Sequence, residues 1–193
     1  MKKIFLLFTL VFTLCLVTSC KPKNVENVTI ILNDGREIRL ELYPDVAPKS
    51  VENFLKLVDA KHYDGVIFHR VIEGFMIQTG HYYVSGGRIR EKADVDPIKG
   101  EFSSNGFENS LKHKAGVLSM ARTNEPNSAS DQFFICSANS PHLNGEYAAF
   151  GKVRDNASLR VVKDISKVET RNYSEEFANL PKESISIKTI VRG

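Results

Sequence analysis

Short runs of β-branched and aromatic residues, separated by turns rich in Gly, Asp and Asn, recur along residues 28–193. The first two runs, 28–32 and 38–42, flank the dipeptide Asp34-Gly35. Asp-Gly between alternating apolar runs is among the strongest local signals for a β-hairpin. We therefore predict that the domain opens with a β-hairpin.

The remaining segments predict more strands and only two helices. Residues 48–58 have helical spacing, with Pro48 and Ser50 at the start and Val51, Phe54, Leu55 and Val58 on one face. Further strands are predicted at 66–77 (interrupted by Gly74), 116–120, 132–136, 148–153 and around 185–187, and a second helix at 158–168. Residues 79–115 are rich in Gly, Ser, Asn and charge, and predict long loops. This pattern favours a β-barrel or sandwich with helical caps, and closing a barrel hides its strand edges.

The first twenty residues have the pattern of an export signal. Lys2 and Lys3 precede an uncharged apolar run at 4–17, which is short for a membrane-spanning helix. Thr18-Ser19 then leads directly into Cys20, an arrangement that resembles the lipobox of bacterial lipoproteins, whose cysteine is acylated. We therefore expect a signal peptide at 1–19, a lipidated Cys20 with a tether at 20–27, and one domain at 28–193. An ordinary signal peptide or an uncleaved anchor are the alternatives.

Charge and cysteine usage narrow the classes of function. The chain has 26 Lys+Arg and 23 Asp+Glu, and loss of Lys2 and Lys3 leaves it close to neutral, which makes nucleic acid a poor candidate partner. Of three cysteines only Cys136 would remain free, so no internal disulfide is expected and stability must come from a packed core. The five histidines lack metal-ligand spacing, and no glycine-rich loop leads into a helix. We expect neither a metal nor a cofactor.

Four segments, in order, resemble the cyclophilin-type peptidyl-prolyl cis/trans isomerases. They are Phe-His-Arg-Val-Ile-Glu-Gly-Phe-Met-Ile-Gln-Thr-Gly at 68–80, Gly-Val-Leu-Ser-Met-Ala at 116–121, Asp-Gln-Phe-Phe-Ile-Cys at 131–136, and Leu-Asn-Gly at 143–145 with Ala-Phe-Gly-Lys-Val at 149–153. The resemblance spans essentially the whole domain. It implies an eight-stranded antiparallel closed β-barrel capped by two α-helices.

The resemblance also implies a site. Arg70 occupies the position of the family's catalytic arginine, and Gln78 that of the residue that orients it and binds substrate backbone. The other implied substrate-binding residues are Phe75, Met76, Ala121, Gln132, Phe134, Leu143 and Tyr147. Without the resemblance, Phe75, Met76, Phe134 and Leu143 would be assigned to the core, as Phe133 still is. Tyr147 replaces the pocket histidine of many eukaryotic relatives, and His142 replaces their tryptophan.

Two functions remain open at this point. One is an isomerase of X-Pro bonds that assists protein folding in the cell envelope, anchored by lipid and facing the periplasm or in the outer membrane. The other is a non-catalytic module that holds proline-containing segments in the same groove. The partners expected are proline-containing polypeptides and, through the lipid, a membrane, and a monomer is the default. Catalysis of a proline peptide, as opposed to simple binding, separates the two functions.

Overall fold

The computed structural model describes residues 24–193, so the predicted signal peptide at 1–19 and Cys20 lie outside the described residues. This part of the chain forms eleven strands and two α-helices. The strands are β1 (Glu26–Leu32), β2 (Glu37–Leu42), β3 (Val66–Ile72), β4 (Met76–Ser85), β5 (Arg88–Glu91), β6 (Val117–Met120), β7 (Phe133–Cys136), β8 (Ala149–Val153), β9 (Thr170–Arg171), β10 (Leu180–Pro181) and β11 (Ile187–Arg192). The helices are α1 (Pro48–Asp59) and α2 (Asn156–Ser166).

Nine of these strands form one curled antiparallel sheet. Its order is β11-β1-β2-β8-β6-β7-β4-β3, with β5 added to β4, while β9 and β10 pair separately. The expected mainly-β antiparallel fold with two helices is confirmed. The expected closed barrel is corrected to a half-barrel, because β3 and β11 share no ladder: Ile67 of β3 forms one isolated bridge with Ser186, the residue just before β11. Two hydrogen bonds flank this bridge, from Gly65 N–H to Ile187 C=O (2.8 Å) and from Phe68 N–H to Ile185 C=O (2.9 Å).

The core lies inside the curl, under α1. Phe54 of α1 contacts the rings of Tyr63, Phe133 and Phe150, with centroids 5.2 to 5.5 Å apart. All four side chains are at most 1% exposed. Aromatic pairs at this spacing contribute packing energy beyond the area that they bury. The helix is therefore fixed against the sheet by its predicted apolar face.

The start of α1 is capped from a distant part of the chain. Ala47 at the cap position has no side-chain acceptor. The carboxylate of Glu101, only 2% exposed, instead accepts hydrogen bonds from Lys49 N–H (2.9 Å), Ser50 N–H (2.8 Å) and the Ser50 hydroxyl (2.7 Å). A negative group at this end also complements the helix dipole. Glu101 thereby ties the loop after β5 to the helix.

One predicted loop is partly wrong. Residues 79–85 continue β4, and β5 returns along them after a turn at Gly86-Gly87, where both glycines have positive φ. Gly-Gly is a favoured hairpin turn, but the polar residues around it obscured the strand signal. The second helix begins at Asn156 and ends at Ser166, two residues earlier than predicted at each end. Its start is capped by Asp155, which accepts from Ser158 N–H at 2.8 Å.

The chain enters the domain slightly before the predicted boundary. β1 begins at Glu26, and Asn24 donates two hydrogen bonds to the Asp45 carboxylate, at 2.8 and 3.0 Å. Within residues 24–193 no helix is both long and apolar enough to cross a membrane.

The Glu101 cap generates the first prediction. Glu101→Gln removes the charge and one of the two acceptor oxygens that serve the three donors at the start of α1, and we expect it to lower the free energy of unfolding by about 2 kcal/mol. Urea denaturation measures this loss. Glu108→Gln, an exposed position seven residues on, is the control and should change stability by less than about 0.5 kcal/mol. Equal stability of the two variants would contradict the assigned cap.

Candidate active site

Strand register places a row of side chains across four neighbouring strands. Arg70 of β3 lies directly opposite Gln78 of β4, Gln78 opposite Phe134 of β7, and Phe134 opposite Ser119 of β6. Residues directly opposite in an antiparallel ladder share one face of the sheet. The residues next to them along each strand belong to the core: Val71, Ile77, Leu118, Met120, Phe133 and Ile135. The candidate site therefore lies on the face of the sheet opposite to the core.

The polar half of the site is a chain of three side chains. Arg70 donates from a terminal guanidinium nitrogen to Gln78 Oε1 (3.3 Å), and Gln78 Nε2 donates to Gln132 Oε1 (2.9 Å). All three side chains are partly buried. Each amide is oriented by its neighbour, so the position of the guanidinium depends on both glutamines.

The apolar half is a cavity of about 90 Å³ beside this chain. The structure brings eight of the nine predicted catalytic and substrate-binding residues to its lining: Arg70, Phe75, Met76, Gln78, Ala121, Phe134, Leu143 and Tyr147. The ninth, Gln132, lines an adjoining cavity of about 190 Å³ that shares Gln78 and Ala121 with the first. The predicted residues thus form one continuous groove, and their individual roles stay predictions.

The floor of the cavity is supported by a histidine that the sequence did not single out. Phe134 packs edge-on against Tyr147 (5.9 Å) and stacks on His113 (6.2 Å, 20° between planes). His113 Nδ1 lies 3.2 Å from Asn144 Oδ1 and Nε2 lies 3.1 Å from the Ser119 hydroxyl. Burial lowers the pKa of His113. A neutral ring that donates to Asn144 and accepts from Ser119 satisfies both nitrogens.

Arg122 is a second residue that the sequence analysis missed. Its guanidinium lies over the rings of Phe102 (5.0 Å) and Tyr147 (4.7 Å) and donates to the carbonyl oxygens of Glu146 (3.0 Å) and Thr123 (2.8 Å). Stacking and a rigid fork of donors suit arginine to this place. Arg122 therefore joins its own loop to the segments that carry Phe102 and Tyr147. Its position directly after the 116–121 segment was the available signal.

Cys136 lies beneath the cavity and has no features of a nucleophile. It is fully buried with Met76, Phe134 and Leu143. Burial raises the pKa of its thiol to about 12. Since the thiolate is the reactive form, this thiol is inert at neutral pH.

Comparison with known proteins identifies relatives of the chain. The sequence model described as "Cyclophilin type peptidyl-prolyl cis-trans isomerase/CLD" matches residues 27–191. The chain is similar to a peptidyl-prolyl cis-trans isomerase of Acinetobacter baylyi, with 42% identity over 79% of this chain and 78% of the relative. It is also similar to peptidyl-prolyl cis-trans isomerase A of Dickeya dadantii, with 38% identity over 83% and 81%.

Solved structures agree with the sequence relatives. A cyclophilin-type peptidyl-prolyl cis-trans isomerase of Cryptosporidium parvum superposes with a TM-score of 0.72 at 32% identity, covering 88% of this chain and 98% of the other. A structure of that protein in the presence of the dipeptide Ala-Pro superposes with a TM-score of 0.70.

A buried histidine next to Arg70 predicts a pH dependence of stability. His69 is 4% exposed, its ring packs edge-on against Tyr82 (4.8 Å), and burial lowers its pKa from 6.5 to about 4. The unfolded chain therefore takes up a proton that the folded chain does not. The stability that the neutral, buried His69 ring contributes is fully present above pH 6.5, the pKa in the unfolded chain. It is lost as the pH falls towards 4, the pKa in the folded chain. We expect His69 alone to lower the free energy of unfolding by about 2 kcal/mol between pH 7 and pH 5.

Urea denaturation at both pH values checks this expectation in the wild type and in His69→Gln. The drop between pH 7 and pH 5 should be smaller in His69→Gln, whatever its stability at pH 7. His142→Gln, at an exposed position, should keep the wild-type drop. The same drop in His69→Gln as in the wild type would contradict the assignment.

Proposed function

The chain belongs to the cyclophilin-type peptidyl-prolyl cis-trans isomerase family, and from that premise we propose how its groove catalyses isomerisation and where in the cell it acts. Arg70 is the catalytic residue, Gln78 and Gln132 hold it in place, and the adjacent cavity grips the proline ring. The observation that carries this proposal is the placement of Arg70 and its two glutamines at the wall of an apolar cavity.

The reaction sets specific requirements. Rotation about the bond before proline has a barrier of about 18–20 kcal/mol, and the two isomers differ by only about 0.5–1 kcal/mol. No covalent bond breaks and no proton has to move. A catalyst must therefore hold the proline and favour the twisted amide, which has lost its resonance, over both planar ground states.

The cavity meets the first requirement. Phe75, Met76, Phe134 and Leu143 supply apolar walls, and Phe134 is held from below by His113. A pyrrolidine ring buried there gains hydrophobic free energy and leaves the rest of the substrate in the open groove. The relative from Cryptosporidium parvum, which was solved in the presence of Ala-Pro, supports a site for this dipeptide.

Arg70 meets the second requirement. In the twisted amide the prolyl nitrogen becomes pyramidal and accepts a hydrogen bond, and the carbonyl oxygen swings out of the original plane. A fixed donor directed at either atom stabilises the twisted state more than the planar ones. A guanidinium remains charged and offers several donors. Because Gln78 occupies only one terminal nitrogen of Arg70, other donors are left for the substrate.

The central prediction concerns Arg70. Arg70→Ala should lower kcat/KM for a short Ala-Pro peptide by about 100-fold, because it removes the donor to the twisted amide. The assay follows cis-to-trans exchange with protein purified in detergent. Arg90→Ala is the matched control, since Arg90 is an exposed arginine on β5, away from the groove.

The outcomes separate the two functions. Fast exchange by the wild type and the control, lost in a folded Arg70→Ala variant, supports the proposal. Binding of the peptide without any acceleration by folded wild-type protein would favour the alternative, a non-catalytic module that holds proline-containing segments.

We further propose that the enzyme is a lipoprotein that assists protein folding in the bacterial cell envelope. The support is the sequence pattern alone: the basic start, the short apolar run at 4–17 and Thr18-Ser19 before Cys20. With two or more acyl chains at Cys20 the anchoring would be durable, whereas one chain binds membranes only reversibly. The short tether would keep the groove near the membrane surface, facing the periplasm or at the outer membrane.

The lipid claim has its own test. Cells that express the protein and are fed labelled palmitate should label the wild type, and Cys20→Ala should remove the label because it removes the acceptor thiol. Cys15→Ala, in the apolar run, is the control and should keep the label. Unchanged labelling of Cys20→Ala would remove the lipoprotein proposal and leave the isomerase proposal intact.

A further inference from the structure

A buried carboxylate with two histidine partners lies next to the catalytic groove. The side chain of Asp131 is 2% exposed, and its Oδ2 lies 2.8 Å from His62 Nε2 and 2.9 Å from His81 Nδ1. The two imidazole side chains are only 11% and 15% exposed. Oδ1 accepts a longer hydrogen bond from the Ser130 hydroxyl (3.2 Å). The three residues come from the segment after α1, from β4 and from the segment before β7.

The backbone around this cluster is constrained to bring the three groups together. His81 has φ +68°, a left-handed conformation that costs energy in a residue other than glycine. At Gly80, φ is +105° and a Cβ atom would lie 2.5 Å from Asp131 O and 2.6 Å from Gln132 Cα. The β3–β4 register also shifts here. β4 therefore bends at Gly80 and His81, where it lies against the segment that carries Asp131.

Helix α1 holds the same segment from its other side. Asn53 of α1 donates from its side-chain amide to Ser130 C=O, and His62 follows the end of α1. Burial raises the pKa of Asp131 and the hydrogen bonds from His62 and His81 lower it, with a net value below the usual one. The carboxylate thus stays ionised and keeps accepting from both rings. A buried charge held in this way is costly to leave without partners.

The residue after Asp131 is Gln132, the last of the three hydrogen-bonded side chains, Arg70, Gln78 and Gln132, that orient the guanidinium. Asp131 bonds to the two histidines, whereas Gln132 lines the groove and accepts from Gln78 Nε2 (2.9 Å). The backbone at Gln132 is thus fixed on one side by the strand β7 and on the other by the anchored Asp131. Movement of Asp131 would change the distance between Gln132 and Gln78.

We propose that Asp131, held by His62 and His81, is a positioning residue of the isomerase, which acts through Gln132 and Gln78 on the guanidinium of Arg70. This inference rests on the proposed catalytic role of Arg70. None of the three residues of the cluster lines the cavity that holds the proline ring. Their contribution is to the orientation of the donor.

A double-mutant cycle tests this inference. Asp131→Ala and Gln132→Ala should each lower kcat/KM for the Ala-Pro peptide by about tenfold, because small displacements of a donor reduce the rate strongly. The double variant should also lose about tenfold, since residues that act in one chain are not additive. Asp131→Ala combined with Leu143→Ala should instead be additive, because Leu143 is a wall of the cavity that packs with Met76 and Cys136 and is not a member of the side-chain chain to Arg70.

Controls separate this effect from a general loss of stability. Asp155→Asn weakens the cap of α2 and should lower stability without changing kcat/KM. If Asp131→Ala does not fold, His62→Ala takes its place in both cycles. His62→Ala removes one of the two histidine partners of Asp131, and the His62 side chain is less buried than that of Asp131. All measurements use protein purified in detergent, with folding checked by circular dichroism.

Each outcome decides the inference. Non-additivity with Gln132→Ala and additivity with Leu143→Ala support it. Full activity of Asp131→Ala, or additivity with Gln132→Ala, overturns it while the isomerase proposal stands. A wild type that does not accelerate exchange, or an Arg70→Ala variant that is fully active, is instead a failure of the proposed function.

Discussion

The antiparallel register of β3, β4, β7 and β6 is the constraint on which the site depends. Because side chains alternate between faces, one register places Val71, Ile77 and Phe133 in the core and their neighbours Arg70, Gln78 and Phe134 on the opposite face. A shift by one residue would exchange the two sets. The packing of Phe133 between Phe54 and Tyr63 therefore fixes the catalytic row as well as the core. The same strand register therefore determines both the packing of the core and the position of the catalytic residues.

Buried polar contacts then hold the irregular segments against the sheet. Glu101 joins a loop to the start of α1, His113 and Asn144 support the floor of the cavity, and Arg122 bridges the loops at its rim. Each of these groups has at least one partner more than twenty positions away in the sequence. Buried polar networks of this kind specify one arrangement, since a single unpaired member is costly. This explains how the loops that complete the groove keep a defined shape beside the strands.

Hydrophobic periodicity and turn residues predicted the helices and strands that have a clear local sequence pattern. The hairpin at Asp34-Gly35, the apolar face of α1 and the strands at 116–120 and 132–136 follow from periodicity, and the site residues followed from the resemblance of segments such as 68–80. The pairings of Glu101 with the start of α1 and of Asp131 with its two histidines were not predictable, because these residues are at least fifty positions apart in the sequence. The hairpin of β4 and β5 was missed because charged residues masked its alternation. The half-barrel was missed because closure of a barrel requires a hydrogen-bonded ladder between its two edge strands, β3 and β11. No local sequence pattern indicates whether that ladder forms.

The most direct test of the account is a crystal structure of the protein with Ala-Pro. We expect the proline ring to lie in the cavity bounded by Phe75, Met76, Phe134 and Leu143. We also expect a guanidinium nitrogen of Arg70 within about 3 Å of the dipeptide's carbonyl oxygen, with the Gln78 and Gln132 hydrogen bonds intact. A dipeptide bound outside this cavity, or an Arg70 side chain turned away from a proline that occupies it, would contradict the account.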